Sequence, residues 1–200
     1  MRVNKPFKKH YLELKQTYNM NVGIIGLGLI GGSLAISLRE RGFASKIIGV
    51  DKNEKHCKEA IELGFADEIC ALNALINKVD LVILAVPVDA ARKILPNLLD
   101  AVADEQVIID MGSTKEGICK IADTHPNRKN FVASHPIAGT ENAGPSAAFD
   151  GLFDNKITII CDETKSTIPA LKLCKRLYKT LKMKVLIMSA EEHDRHIAYV

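Results

Sequence analysis

Cysteine is sparse in these 200 residues, and the five present (Cys57, Cys70, Cys119, Cys161 and Cys174) include no CxxC pair. An odd, scattered set excludes a disulfide framework and a zinc knuckle and reads as reduced core or surface thiols. Long apolar runs are missing too. The longest, such as Leu81 to Val88, are less than half of the roughly 20 residues a membrane span requires, and no charged-then-apolar signal peptide opens the chain. The expected setting is cytoplasmic, with no membrane partner. Strong charge of either sign is also lacking. The formal net charge is +3, but the first 19 residues hold Arg2, Lys5, Lys8, Lys9 and Lys15 against Glu13 alone, an excess of four that leaves the remainder near −1. With no RNA- or DNA-binding motif beside it, that short basic stretch argues for no nucleic-acid partner.

What is present is a regular alternation. Residues 1–19 are polar, basic and without a clear period, and they read as an N-terminal extension; Met20 reads as a natural start and introduces an abrupt apolar strand. Short β-branched runs follow at Val22 to Ile25, Lys46 to Val50, Leu81 to Ala85, Val107 to Ile109, Phe131 to Ala133, Ile157 to Ile160 and Lys184 to Ile187. Between them, Leu29 to Arg41, Asn53 to Leu63, Asp89 to Leu99, Thr114 to Ala122 and Lys165 to Leu181 have helical spacing and lengths suited to right-handed crossovers. The pattern predicts a doubly wound α/β Rossmann domain over residues 20–188, with a parallel sheet. A further helix is predicted over residues 189–200, opening on a Ser189–Glu192 capping box and running to Val200 without a stop signal. It reads as the first helix of a second, helical domain that this chain largely lacks.

The glycine pattern Gly26-Leu27-Gly28-Leu29-Ile30-Gly31 follows the first strand and opens the first helix, which is the context a dinucleotide site requires. Gly26 permits the tight turn, Gly28 lets backbone approach a pyrophosphate, and Gly31 lets helix and strand lie close, with Leu29 and Ile30 in the first helical turn. Asp51 closes the second strand 20 residues after Gly31, where a carboxylate can accept hydrogen bonds from the adenosine ribose hydroxyls and repel a 2′-phosphate. NAD is therefore expected over NADP, although Lys52 alongside could tolerate a phosphate. Asp51 can equally cap the next helix, through a box with Glu54. Val86 and Pro87 end the strand Leu81 to Ala85 where a loop should cross the cofactor face.

Two strand ends carry candidate chemistry. Ser113 either caps its helix in a box with Glu116 or points its hydroxyl at substrate or a catalytic histidine on the carboxyl edge of the sheet. His135 lies in Ser134-His135-Pro136-Ile137-Ala138-Gly139-Thr140-Glu141, and Pro136 holds it extended at the strand tip. An imidazole, with an ordinary pKa of about 6.5, suits acid–base work at cellular pH. His193 and His196 share a helical face at i, i+3, but no HExxH and no third ligand accompany them. No metal is expected, and a hydrogen-bond cluster at a domain interface is the reading adopted.

Taken in order, GLGLIGGS, Asp51, the segment around Ser113, SHPIAGTE and the EEHD helix resemble the prephenate dehydrogenases of tyrosine biosynthesis, over Met20 to Val200. The resemblance implies NAD-dependent oxidative decarboxylation of prephenate to 4-hydroxyphenylpyruvate. It implies that His135 hydrogen-bonds the substrate's ring hydroxyl and takes its proton, that Ser113 orients that hydroxyl and the histidine, and that Thr140, Glu141 and His193 line the substrate pocket. In that family the chain continues into an all-helical domain that builds a homodimer and supplies further substrate contacts. Three alternatives stay open: an arogenate dehydrogenase, a β-hydroxyacid dehydrogenase, which would want a lysine base, and a truncated dinucleotide-binding module without turnover.

Overall fold

Asn21–Ile25 (β1), Lys46–Val50 (β2), Leu81–Leu84 (β4) and Val107–Asp110 (β5) are β-branched, nearly continuous apolar runs, and their central residues are buried. Such runs suit strands covered on both faces. In the computed structural model, which describes residues 20–198, they form the centre of an eight-stranded sheet. Glu68–Ile69 (β3), Phe131–Pro136 (β6), Ile157–Cys161 (β7) and Lys184–Met188 (β8) complete it in the order β3-β2-β1-β4-β5-β6-β7-β8. The helices are Leu29–Glu40 (α1), Glu54–Glu62 (α2), Leu72–Leu75 (α3), Val88–Ala101 (α4), Glu116–Asp123 (α5), Ile168–Thr180 (α6) and Ala190–Ile197 (α7).

Two apolar cores result, one on each face of the sheet. On one face Val22, Ile24 and Ile83 meet Leu34 and Leu38 of α1 and Leu177 and Tyr178 of α6. On the other, Ile25, Val82 and Leu84 meet Leu95 and Leu98 of α4 and Ile118 of α5. The sheet is thus doubly wound. Its order reverses between β1 and β4, so the carboxyl ends of those strands flank a crevice, the place where open α/β sheets take ligands.

All seven strands expected from the sequence are present, but the sheet is not parallel throughout. β7 runs antiparallel to β6, pairing His135 with Ile159, and β8 is parallel to β7. A parallel return needs a crossover that carries the chain back to the starting edge. The stretch 137–156 forms no such helix. It folds at the carboxyl end of β6 with one short 3-10 turn, Pro145–Ala147, and re-enters the sheet from that same end, so β7 must run backwards. β3, only two residues long, and α3 were not foreseen. The final helix opens as expected, Ser189 Oγ accepting from Glu192 N at 3.1 Å, and spans Ala190–Ile197. Residues 1–19 and 199–200 lie outside the described residues, and with them the expected N-terminal extension and the last two residues of that helix's expected extent. Among the described residues no helix is long and apolar enough to cross a membrane.

The two halves of the sheet are tied at Tyr178, wholly buried on α6. Its hydroxyl meets Ser134 Oγ of β6 and lies 3.2 Å from Met111 Sδ beyond β5. A buried hydroxyl with partners contributes on the order of 1 kcal/mol. Tyr178→Phe is expected to lower the free energy of unfolding by about that amount, measured by urea denaturation, and an unchanged midpoint would contradict this tie.

Candidate active site

The glycines divide their work. Gly26 has φ +97°, and a Cβ on it would lie 2.4 Å from Ala85 O; a Cβ on Gly31 would lie 1.8 Å from Gly26 O. Both contacts are with backbone that cannot yield, so these two glycines are needed for strand and helix to meet at all. A Cβ on Gly28, by contrast, would meet nothing within 4 Å. Gly28 is the N-cap of α1, no side chain caps that helix, and no acidic residue stands in its first turn. Open space at a helix N-terminus, with unneutralised N–H groups, fits a pyrophosphate. Leu29 and Ile30 form that first turn, Val86 reaches the glycine loop from β4 (its Cγ1 would lie 2.8 Å from a Cβ on Gly26), and Pro87 caps α4 beside it.

Asp51 ends β2 facing the same loop. Its Oδ2 accepts Leu27 N–H at 2.8 Å and lies 3.3 Å from His56 Nδ1, while Oδ1 accepts Asn53 N–H at 2.8 Å. The helix cap that the sequence offered to Asp51 belongs to Asn53, whose side chain accepts from Lys55 N. Asp51 is therefore anchored in place by backbone donors, with lone pairs remaining for a ribose diol.

His135 sits half-buried at the tip of β6. Its Nδ1 is 2.9 Å from Nε2 of His193, a buried residue of α7, and His193 Nδ1 is 2.7 Å from Asp194 Oδ1. A carboxylate only accepts, so His193 carries its proton on Nδ1 and, in the uncharged pair, accepts through Nε2 from His135 Nδ1–H. Nε2 of His135 is left as the free, unprotonated atom. Burial, then the Lys115 ammonium, then His193 push the His135 imidazole down to about 4, against the pull of Asp194. It is neutral at pH 7. The sequence pairing of His193 with His196 does not form: His196 is exposed and its Nδ1 meets Glu192 O at 2.7 Å.

Asp194 also decides what Ser113 does. Its two carboxylate oxygens accept Lys115 N–H at 2.7 Å and Glu116 N–H at 2.8 Å, so α5 is capped from α7 and not by Ser113. Burial opposes the charge of Asp194, but the donors from Glu116, His193 and Lys115 outweigh it and hold the carboxyl below its usual range. Ser113 stands exposed beside the site without a hydrogen bond to His135. Thr140 and Glu141 are exposed as well, bonded only within their loop, to Asn142. Further along, that loop lies on α1: Phe149 N donates to Ser33 Oγ at 3.1 Å, and Ala148 Cβ occupies the space a side chain on Gly32 would need. Among the described residues no group of three or more metal-ligand side chains occurs.

The family model for the prephenate dehydrogenase nucleotide-binding domain matches residues 34–187. The chain belongs to the prephenate dehydrogenase family. It is 34% identical to the prephenate dehydrogenase of Bacillus subtilis over 174 residues, covering 86% of this chain and 47% of that protein. Among solved structures, the Aquifex aeolicus prephenate dehydrogenase with hydroxyphenyl propionate and NAD+ superposes with a TM-score of 0.83 at 35% identity, over 90% of this chain and 63% of that one. The Synechocystis arogenate dehydrogenase gives 0.81 at 28% identity, over 90% and 63%. The chain thus spans about half to two-thirds of the length of these relatives.

Sequence reasoning missed Asp110, Lys115 and Asp194 in this candidate site. Lys115 and Asp110 form an ion pair with side-chain exposures of 0% and 1%, and nothing in the local pattern marks a lysine for burial. Membership of the family makes the two kinds of glycine separable by experiment. Gly28→Ala is expected to leave thermal stability nearly unchanged and to weaken dinucleotide binding at least about tenfold, whereas Gly31→Ala should cost roughly 3 kcal/mol of stability. Calorimetric binding and thermal unfolding of both variants check this, and equal destabilisation would refute the division.

Proposed function

We propose that this chain carries the catalytic half of an NAD-dependent dehydrogenase that oxidatively decarboxylates prephenate to 4-hydroxyphenylpyruvate. The observation that carries the reading is the Asp194–His193–His135 chain at the carboxyl edge of the sheet, which ends in a free imidazole Nε2 on the ligand side. Gly26, Gly28 and Gly31, the first turn of α1 with Leu29 and Ile30, Asp51, Val86 and Pro87 would hold the dinucleotide. NAD, when bound, supplies the hydride acceptor.

His135 Nε2 is the proton acceptor for the substrate's ring hydroxyl. As that O–H bond breaks, its electrons form the carbonyl, the hydride leaves the same carbon, and loss of the ring carboxylate as carbon dioxide returns the ring to aromaticity. His135 holds the proton during hydride transfer, where Asp194, through His193, stabilises the cation that forms, and returns it to the ring oxygen as aromatisation turns the carbonyl into the phenol hydroxyl. Aromatisation drives the reaction, so the chain chiefly aligns its base and its donors. Ser113, Thr140 and Glu141 stand at the mouth of the site, placed to meet substrate without being held by His135. Lys115 cannot replace His135 as base in the manner of a β-hydroxyacid dehydrogenase, because its side chain is wholly buried against Asp110. A second substrate, arogenate, is favoured by the likeness to the Synechocystis enzyme. It differs in an amino group remote from the ring hydroxyl that His135 would meet.

Nicotinamide reduction followed by absorbance with each substrate tests the reading. His135→Asn is expected to reduce turnover at least about a hundredfold while NAD binding persists; full turnover in the variant would overturn the role of His135. NAD is expected to bind more tightly than NADP, with Asp51→Ala narrowing the gap, and a wild-type preference for NADP would refute the ribose argument.

The pH dependence follows from the same imidazole. Its folded value of about 4 lies below the unfolded value of roughly 6.5. The stability it contributes is therefore complete above about pH 6.5 and is lost as pH falls through about 4. The acid limb of kcat/KM, which reports the base of the free enzyme, is expected near pH 4. A limb at an ordinary histidine value would contradict a desolvated His135.

A further inference from the structure

Lys115 has no place in the chemistry above, yet it is among the largest wholly buried side chains of the protein. Burying an ammonium is costly unless its charge and its N–H groups are met. Here they are met in a way that joins three elements. Nζ donates to Asp110 at the end of β5 and, at 2.8 Å, to Ser134 O, the carbonyl immediately before His135 on β6. The backbone N–H of the same residue donates at 2.7 Å to Asp194 Oδ1, the atom that His193 Nδ1 also approaches at 2.7 Å. One end of Lys115 thus fastens the strand that carries His135, and the other fastens the helix that carries His193.

We propose that Lys115 is a positioning residue for this reaction: it holds His135 and His193 in hydrogen-bonding register and places a fixed cation behind the proton acceptor. The inference rests on the reading of His135 as that acceptor. A hydrophobic residue of similar length would fill the volume, and such replacements of buried pairs are often neutral or stabilising, so bulk alone does not explain a lysine. The charged and titratable groups facing His135 are Lys115 from the turn before α5 and His193 and Asp194 from α7, with Asp110 of β5 behind Lys115. Of these, Lys115 and His193 oppose a proton on His135, and Asp194 favours one. Without Lys115 the largest charge opposing that proton is gone, and burial and His193 alone stand against Asp194.

Nitrogen-15 NMR of the imidazoles, on the 200-residue chain without cofactor or substrate, tests this independently of turnover. Lys115→Met leaves Asp110 buried and unpaired and risks unfolding, so it is accompanied by the double variant Asp110→Asn/Lys115→Met, which removes both charges. In the wild type, His135 is expected to hold its proton on Nδ1 and to stay neutral down to about pH 4. In the folded double variant its titration midpoint should rise by about one pH unit or more, and the Nδ1–H signal shared with His193 should broaden or vanish. A folded double variant that keeps both the wild-type midpoint and that signal would overturn the proposal. Loss of turnover in His135→Asn bears only on the acceptor role, so the two readings fail separately.

Discussion

The approach of Gly31 to the carbonyl of Gly26 is the contact on which the architecture turns. With no room for even one methyl between them, α1 lies as near to β1 as backbone allows, and its N-terminus is aimed into the crevice beside β4. The rest of that helix continues the theme with small residues. Gly32 receives Ala148, Ser33 accepts Phe149 N–H, and Ser37 donates to Asp150 at 2.6 Å, while Arg41 bonds Asp150 and Asp154. The long connection between β6 and β7 is thereby laid along the cofactor helix. That packing is also why β7 runs backwards, since a segment used to cover α1 cannot serve as a crossover. A close contact between helix and strand thus reaches into the topology of the sheet and into the placing of the loop that holds Thr140 and Glu141.

Wherever a signal is local, the residues announce it. The apolar runs of β1, β4 and β5, the glycine turn, and the extended tip at His135 enforced by Pro136 all depend on neighbours a few positions away. Ser189 caps α7 as its sequence suggests, and Thr167 caps α6, accepting from Ala170 N. What stayed illegible depends on partners far along the chain. Ser113 and Glu116 have the form of a capping box, yet Asp194, 79 residues from Lys115, takes both N–H groups. An ionised carboxylate accepting two N–H bonds at a helix N-terminus outcompetes a hydroxyl accepting one. Asp51 shows the converse: the carboxylate looked like a cap, but the glycine loop claimed it, and Asn53 two residues on became the cap. The two-residue β3 offered too few side chains for any period to register.

Burial distributes the charges of the site by function. Lys115 and Asp110 are sealed from water as an ion pair. His193 is sealed as well, but between a ring and a carboxylate. His135, half-buried at the tip of β6, has its proton affinity lowered, burial being the main cause. The lowered affinity has a chemical use only with the relay behind it. A base at about 4 is weak in the free protein, but a proton arriving on Nε2 turns the His135–His193 contact into a charge-assisted hydrogen bond directed toward Asp194. On the proposed reading the site is neutral before reaction and gains its ionic hydrogen bond as the proton transfers, which is when stabilisation would speed the chemical step.

Such a relay ties the chemistry to α7. Neither His193 nor Asp194 belongs to the strands and crossovers that build the dinucleotide site; both stand on the helix that leaves β8. Asp194 returns across the top of the sheet to cap α5, so the helix is docked by backbone donors at one carboxylate and by a histidine pair one residue earlier. Displacing α7 would release the cap of α5 and the tautomer of His193 in the same movement, and His135 would lose the hydrogen bond between its ring and His193. Among the described residues, the glycine turn at Gly26 to Gly31 shares no hydrogen bond with that assembly. The glycine turn and the histidine assembly are consequently built as two separate units on one sheet, the second held together through Lys115, Ser134 and the strand that ends at His135.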